Sequence, residues 1–181
     1  MPAPRLADEE RTRLAAAVEA FRGGDWQEAA RLFGAAAQQG GLLADYAQFF
    51  LAESLARLGD LVAARRTAES LASRYSDSRL APPGLLLASH LASRQGEEAT
   101  SESLLRRFVA HFPGRSDLPS VWYRLGLSLE GQGRALEAAR IFRELWLAAP
   151  ASDYAEAAGD RLTGLAAAGI VLPPPTPLER I

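Results

Sequence analysis

The chain has no cysteine, no lysine and only two histidines in 181 residues. The missing thiols exclude disulfides, thiolate nucleophiles and cysteine-ligated metal, and their absence suits a reducing or an oxidising compartment equally. All 20 basic side chains are arginines, set against 22 acids for a formal net charge of −2. So even a balance gives no field to hold nucleic acid or an anionic membrane, and neither is expected as a partner. No stretch reaches the roughly 20 apolar residues that cross a bilayer, so no membrane insertion is expected. The start, Met1-Pro2-Ala3-Pro4-Arg5, lacks the apolar run of an export signal. It fits a cytosolic chain or a mature segment written without its signal.

The residues of catalysis are also sparse. General acid–base work needs a carboxyl held in an apolar or charge-coupled cavity, whereas the acids here are read at helix starts and on solvated faces. His90 and His111 stand 21 positions apart, with no acid at ligand spacing, so no metal site is expected. Gly23-Gly24 and Gly40-Gly41 read as helix ends and turns rather than phosphate loops. No cofactor and no catalytic residue are expected in this segment.

What is abundant is repetition. Gly24, Gly59, Gly96 and Gly133 recur at steps of 35, 37 and 37, and Ser76, Pro113 and Pro150 recur 37 apart. A fixed period of this size means a stack of helical hairpins, which offers a long surface to another macromolecule. In the last hairpin Trp122, Leu125, Gly126 and Leu129 share one helix face, with Pro119 in its first turn. Ala138, Ile141, Phe142 and Leu145 line the partner helix. Gly126 and Ala138 let two backbones approach, while Trp122 and Phe142 fill the space around them.

The same scheme gives units at about 8–43, 44–78, 79–117 and 118–150, then a ninth helix over 152–168 with an Asp153/Glu156 capping box. Asp8 or a neighbour is expected to cap the first helix. Residues 1–7 and 41–43 read as loop, and 1–169 as one superhelical domain. Over 170–181 lies a Pro-rich tail: Pro173-Pro174-Pro175 is extended, and Thr176-Pro177-Leu178-Glu179 is a helix start close to the last residue. That pattern is expected of a piece cut from a longer chain. Trp26 and Trp146 read as core residues near contacts between units.

Trp122, Leu125-Gly126, Ala138, Phe142 and Pro150 together resemble the tetratricopeptide repeat. The other units resemble it more weakly, with Ser76 in place of a proline. The resemblance implies an all-α, right-handed α-solenoid of four tetratricopeptide-like hairpins plus a C-terminal capping helix. A narrower resemblance rests on Asp45-Tyr46-Ala47, Leu51-Ala52-Glu53, Arg74-Tyr75-Ser76-Asp77-Ser78, Trp122-Tyr123-Arg124-Leu125-Gly126 and Phe142-Arg143-Glu144-Leu145-Trp146. These look like the N-terminal superhelical region of bacterial soluble lytic murein transglycosylases. That family implies a periplasmic scaffold ahead of a lysozyme-like domain that cleaves peptidoglycan to 1,6-anhydromuramyl products. Its catalytic Glu-Ser pair is followed by Gly-Leu-Met-Gln, which this chain lacks. Glu53-Ser54, Glu69-Ser70 and Glu102-Ser103 therefore read as solvated helix faces. Outer-membrane assembly lipoproteins and cell-division coordinators use similar wording, so a free-standing envelope adaptor that binds a peptide is the competing expectation.

In a tetratricopeptide superhelix the first helix of each pair lines the groove. Counting back ten, six and two residues from each turn glycine gives Leu14, Val18 and Arg22, then Phe49, Glu53 and Arg57, with Tyr46 one turn earlier. The next units give Leu86, His90 and Arg94, then Tyr123 and Leu127. The candidate binding residues are thus Arg22, Tyr46, Phe49, Arg57, His90, Arg94 and Tyr123. A row of guanidiniums beside aromatic rings suits a peptide carboxylate, an acidic segment or the carboxylates of peptidoglycan. The same place, the last turn of a helix, also favours a cation through the exposed carbonyls, by about 0.3–1 kcal/mol. A protein or peptide partner and peptidoglycan are the expected ligands.

Overall fold

The computed structural model describes residues 8–173. The loop expected at residues 1–7, the cap expected from the Asp8 side chain, and the polyproline continuation and helix start expected within residues 174–181 lie outside the described residues. Among the described residues there are nine helices and no strand. They are α1 (Asp8–Arg22), α2 (Trp26–Gln39), α3 (Ala44–Arg57), α4 (Leu61–Arg74), α5 (Ala81–Arg94), α6 (Glu98–His111), α7 (Leu118–Gly131), α8 (Ala135–Ala148) and α9 (Asp153–Ala167). The chain divides into two compact units, the first ending at Leu91 and the second beginning at Ala92, both within α5.

The period is written in the turns. Gly24, Gly59, Gly96 and Gly133 all have positive φ, between 73° and 85°, where a Cβ would be strained. Each closes its helix in the same way. The glycine N–H reaches back three residues and the next N–H five, as in Gly24 to Phe21 (3.2 Å) and Asp25 to Ala20 (2.9 Å). This pairing satisfies carbonyls that the last turn would otherwise leave open. Gly169, at φ 88°, ends α9 by the same device.

The core follows the register. Phe33, Ala68, Leu105 and Phe142, spaced 35, 37 and 37 apart, are all buried, as are Ala29, Ala64, Ser101 and Ala138. On the opposing helices the small residues Ala17, Ala52, Ser89 and Gly126 form the matching column. Gly126 shows why they are small. A methyl group there would stand 2.4 Å from Cε1 and 2.5 Å from Cζ of Phe142, so only glycine lets α7 and α8 close on that ring. Gly84 of α5 similarly lies against Leu71 of α4, with 2.8 Å from a built Cβ to Leu71 Cδ2.

Several expectations change at the level of side chains. Trp146 is 51% exposed, not core, because it stands on the flank of α8 away from buried Phe142 and Leu145. Trp122 and Trp26 are half-buried. Leu14, expected on the binding face, is buried in the core of the first unit, and Val18 packs against that core. The Asp153/Glu156 box does not form: Ser152 is the N-cap of α9, its side chain makes no capping bond, and Asp153 already lies within the helix. Of the Glu-Ser pairs, Ser54 is fully buried and donates to the Phe50 carbonyl (2.7 Å). Glu102, expected on a solvated face, is only 8% exposed.

Candidate binding surface

In the first unit α1 and α3 meet through aromatic rings. Phe21 of α1 lies 5.2 Å from Phe50 of α3, edge to face, and Phe50 stacks on Phe33 of α2 at 5.5 Å. Tyr46 and Phe49, both half-buried, stand against Phe50 at 4.5 and 5.4 Å. They are therefore the rim of an aromatic core as much as a surface, with each ring pair adding about 0.5–1.5 kcal/mol beyond the area it buries.

The cations stand at the edge of this cluster. Arg22 and Arg57 occupy equivalent last-turn positions of α1 and α3, and both are exposed. Arg22 reaches Glu19 only at 3.7 Å, an open surface pair worth little in water. Arg57 lies over the indole of Trp26, 5.3 Å from its centroid, and Trp26 in turn meets Phe21 at 5.1 Å. A guanidinium held on a ring keeps its fork of N–H donors turned outward, which suits it to a planar carboxylate. His90, in the first unit, and Arg94, in the second, are both exposed.

The second unit places Tyr123 between Phe142 and Tyr154, at 5.7 Å from each. Its more unusual feature lies elsewhere. Glu102 of α6 accepts from Arg106 Nε (2.8 Å), from Gln132 Nε2 (2.9 Å) and from Arg134 Nη1. Arg134 also grips Glu137 through two bonds of 2.7 and 2.6 Å, and Ser128 donates to the Glu98 carbonyl at 2.8 Å. Burial works to raise the Glu102 carboxyl. The Gln132 hydrogen bond, the bond and charge of Arg106 and the charge of Arg134 outweigh it, holding the group below its ordinary value of 4.5. A carboxyl kept ionised by two arginines is a structural anchor between α6 and the α7–α8 turn. It is the reverse of a general acid poised to give up a proton near neutrality. The register carried a signal for this residue that composition did not. Glu102 stands 37 positions before Ala139, which is buried. Among the described residues no group of three or more His, Asp and Glu side chains is placed to hold a metal ion.

The model for the tetratricopeptide repeat matches residues 46–78 and 120–152, covering most of α3–α4 and of α7–α8. These two stretches match the tetratricopeptide repeat. Solved structures agree on the fold. A tetratricopeptide repeat protein from Parabacteroides merdae superposes with a TM-score of 0.75 at 16% identity, over 90% of this chain and 62% of that one. This chain thus spans a little under two thirds of that protein. Kinesin light chain TPR-like repeats from Podosopora anserina give 0.66 at 15% identity, over 89% and 87% of the two chains. MamA from Desulfovibrio magneticus RS-1 gives 0.59 at 16%, over 90% and 96%. At these identities the likeness speaks for the fold alone. Comparison with curated proteins returns no match. Repeats of this kind are scaffolds for protein–protein contact and are generally non-catalytic. No helix among the described residues is long and apolar enough to cross a membrane.

Proposed function

We propose that the chain binds an acidic or carboxylate-bearing ligand through the ends of α1 and α3, as the recognition scaffold of a periplasmic cell-wall protein of the lytic transglycosylase kind. The observation that carries the binding reading is the Arg22/Arg57 pair. Two exposed guanidiniums stand at equivalent positions on helices that touch, and one of them is stacked on Trp26. A cation serving only the helix end has no need of a ring beneath it. The cell-wall reading is supported by the wording around Tyr46, Tyr75 and Trp122 in the sequence. Its fitting ligands are the lactyl and peptide carboxylates of peptidoglycan, and the chain would position a catalytic domain encoded beside it.

The test is a titration of the whole chain with soluble peptidoglycan fragments and, separately, with an acidic peptide. Arg22, Arg57 and Arg94 are then replaced together by Gln. Saturable binding of the fragments, weakened at least tenfold by the replacements, is the expected result. Binding of the acidic peptide alone would favour the free-standing adaptor. Affinity unchanged for both probes would remove the arginine surface from the account. The reading frame beyond Ile181 separates the two settings. A lysozyme-like segment with Glu-Ser and Gly-Leu-Met-Gln supports the first, and a stop codon there supports the adaptor.

A further inference from the structure

The turn between α2 and α3 and the loop between α4 and α5 are tied together. Ser78, 33 positions after Asp45, donates to Asp45 Oδ2 at 2.5 Å and accepts from the Leu80 N–H at 3.0 Å. The other oxygen of Asp45 takes the Tyr46 N–H at 2.8 Å. Gly41, Leu42, Asp45 and residues 74–78 then line a cavity of about 360 Å³, all within the first unit. That lies at the small end of the roughly 300–1,000 Å³ usual for small-molecule sites.

These ties engage Asp45 and Ser78 but leave other polar groups of the cavity open. Arg74 lies over the Tyr75 ring, 5.6 Å from its centroid, and its guanidinium has no ion-pair or hydrogen-bond partner among the described residues. Asp77 takes only a long bond of 3.5 Å from the Ser76 hydroxyl. A cation with five N–H donors and an acceptor-only carboxylate thus line one cavity without meeting. The repeat does not ask for them. In the next repeat, 37 positions on, Asp45, Arg74, Tyr75, Ser76 and Asp77 become Pro82, His111, Phe112, Pro113 and Gly114. The helix end still closes alike: the Tyr75 N–H reaches the Leu71 carbonyl and the Phe112 N–H the Phe108 carbonyl, both at 2.9 Å. A last-turn arginine also favours the open carbonyls of its helix, but that gives no role to Asp77.

We propose that this cavity binds a small zwitterion, a free amino acid or a dipeptide. Arg74 takes the carboxylate, whose two oxygens match parallel N–H groups of the guanidinium, and Asp77 takes the ammonium. The Tyr75 ring and Leu42, 48% exposed, flank the ligand's side chain. A simple anion would meet Asp45 and Asp77, and a simple cation would meet Arg74, so a ligand carrying both charges is the one that suits the lining. The site does not depend on the arginine surface of α1 and α3, so either can fail without the other.

The experiment titrates the full, ¹⁵N-labelled chain with a panel of free amino acids and dialanine, followed by amide chemical shifts. The expected result is saturable shifts at Tyr75, Ser76, Asp77 and Ser78 for at least one of these probes. Its N-acetyl and C-amide derivatives, each lacking one charge, should bind at least tenfold more weakly. This series needs no variant, so it tests the site independently of folding. Arg74→Gln and Asp77→Asn should each weaken the intact probe at least tenfold, and both side chains lie at the surface, so both variants should keep the wild-type melting temperature. Joint replacement of Arg22, Arg57 and Arg94 by Gln should leave the affinity unchanged. No saturable shift with any probe, equal binding of either derivative, equal binding by either cavity variant, or loss of binding in the triple variant would overturn the proposal.

Discussion

The two units solve one packing problem with different chemistry. In the first, the turn glycine is followed by aspartate, and Asp25 and Asp60 accept from the N–H of Glu28 and Ala63, each at 3.0 Å. In the second, the same place is held by Glu97 and Arg134, and neither side chain caps its helix. Arg134 turns instead to Glu137 and to Glu102 on α6. The cores diverge in parallel. Phe33 is surrounded by the rings of Phe21, Tyr46 and Phe50, whereas Phe142 is received by the bare backbone of Gly126. The period thus fixes where a helix turns and which positions are buried. It leaves open whether a position is filled by rings, by a glycine notch or by a charge network.

The largest expected effects fall on the buried rings. Phe142→Ala and Phe33→Ala each delete a fully buried phenyl and should cost about 3–5 kcal/mol. Gly126→Ala drives a methyl group into Phe142 and should cost about 1–3 kcal/mol or more. The comparison sharpens in the double variant Gly126→Ala/Phe142→Ala. Because the clash needs both partners, its loss should be well below the sum of the singles in denaturant unfolding. Ala17→Gly, at the matching place in the first unit, has no such partner effect with Phe33→Ala. Trp122→Ala should cost less than Phe142→Ala, since the indole is only half-buried.

Next in size is the anchor of the second unit. Glu102→Gln removes the charge that Arg106 and Arg134 share. It should cost about 1.5 kcal/mol at pH 7, the lower end for hydrogen bonds to charged groups, because both arginines reach solvent. The folded carboxyl lies below 4.5, so on acidification the unfolded chain takes up its proton first. The stabilisation is complete above about pH 4.5 and is lost as pH falls through the lower folded value. Unfolding curves of wild type and Glu102→Gln should therefore differ at pH 7, and the gap should close as pH falls below 4.5 and through the lower folded value. A gap that stays constant would mean that the charge contributes nothing.

The smallest effects test the caps. Asp60→Ala should cost about 1 kcal/mol, whereas Glu97→Ala, which removes no cap, should cost less than half of that in thermal unfolding. Equal losses would erase this part of the contrast between the units.

Much of the fold was legible because glycines that must adopt positive φ, and small residues that must face a ring, leave a mark at fixed spacing. Gly24, Gly59, Gly96, Gly133 and Gly126 carried that information in their identity. The side chains that were misplaced are the ones whose identity is ambiguous. A tryptophan is equally at home in a core or on an open flank, and only the helix angle separates Trp146 from Phe142. A glutamate in a helix looks solvated until the residues of a turn 30 positions later, Gln132 and Arg134, are brought to it. Of the candidate surface, the equivalence of Arg22 and Arg57 was readable from the period. The ring beneath Arg57 was not, because Trp26 belongs to a different helix.

The most direct test of recognition through α1 and α3 is amide hydrogen exchange of the whole chain, free and saturated with soluble peptidoglycan fragments. The account predicts slowed exchange at the last turns of these helices, around Arg22 and Arg57. Protection confined to other helices, with these turns unchanged under saturation, would contradict it.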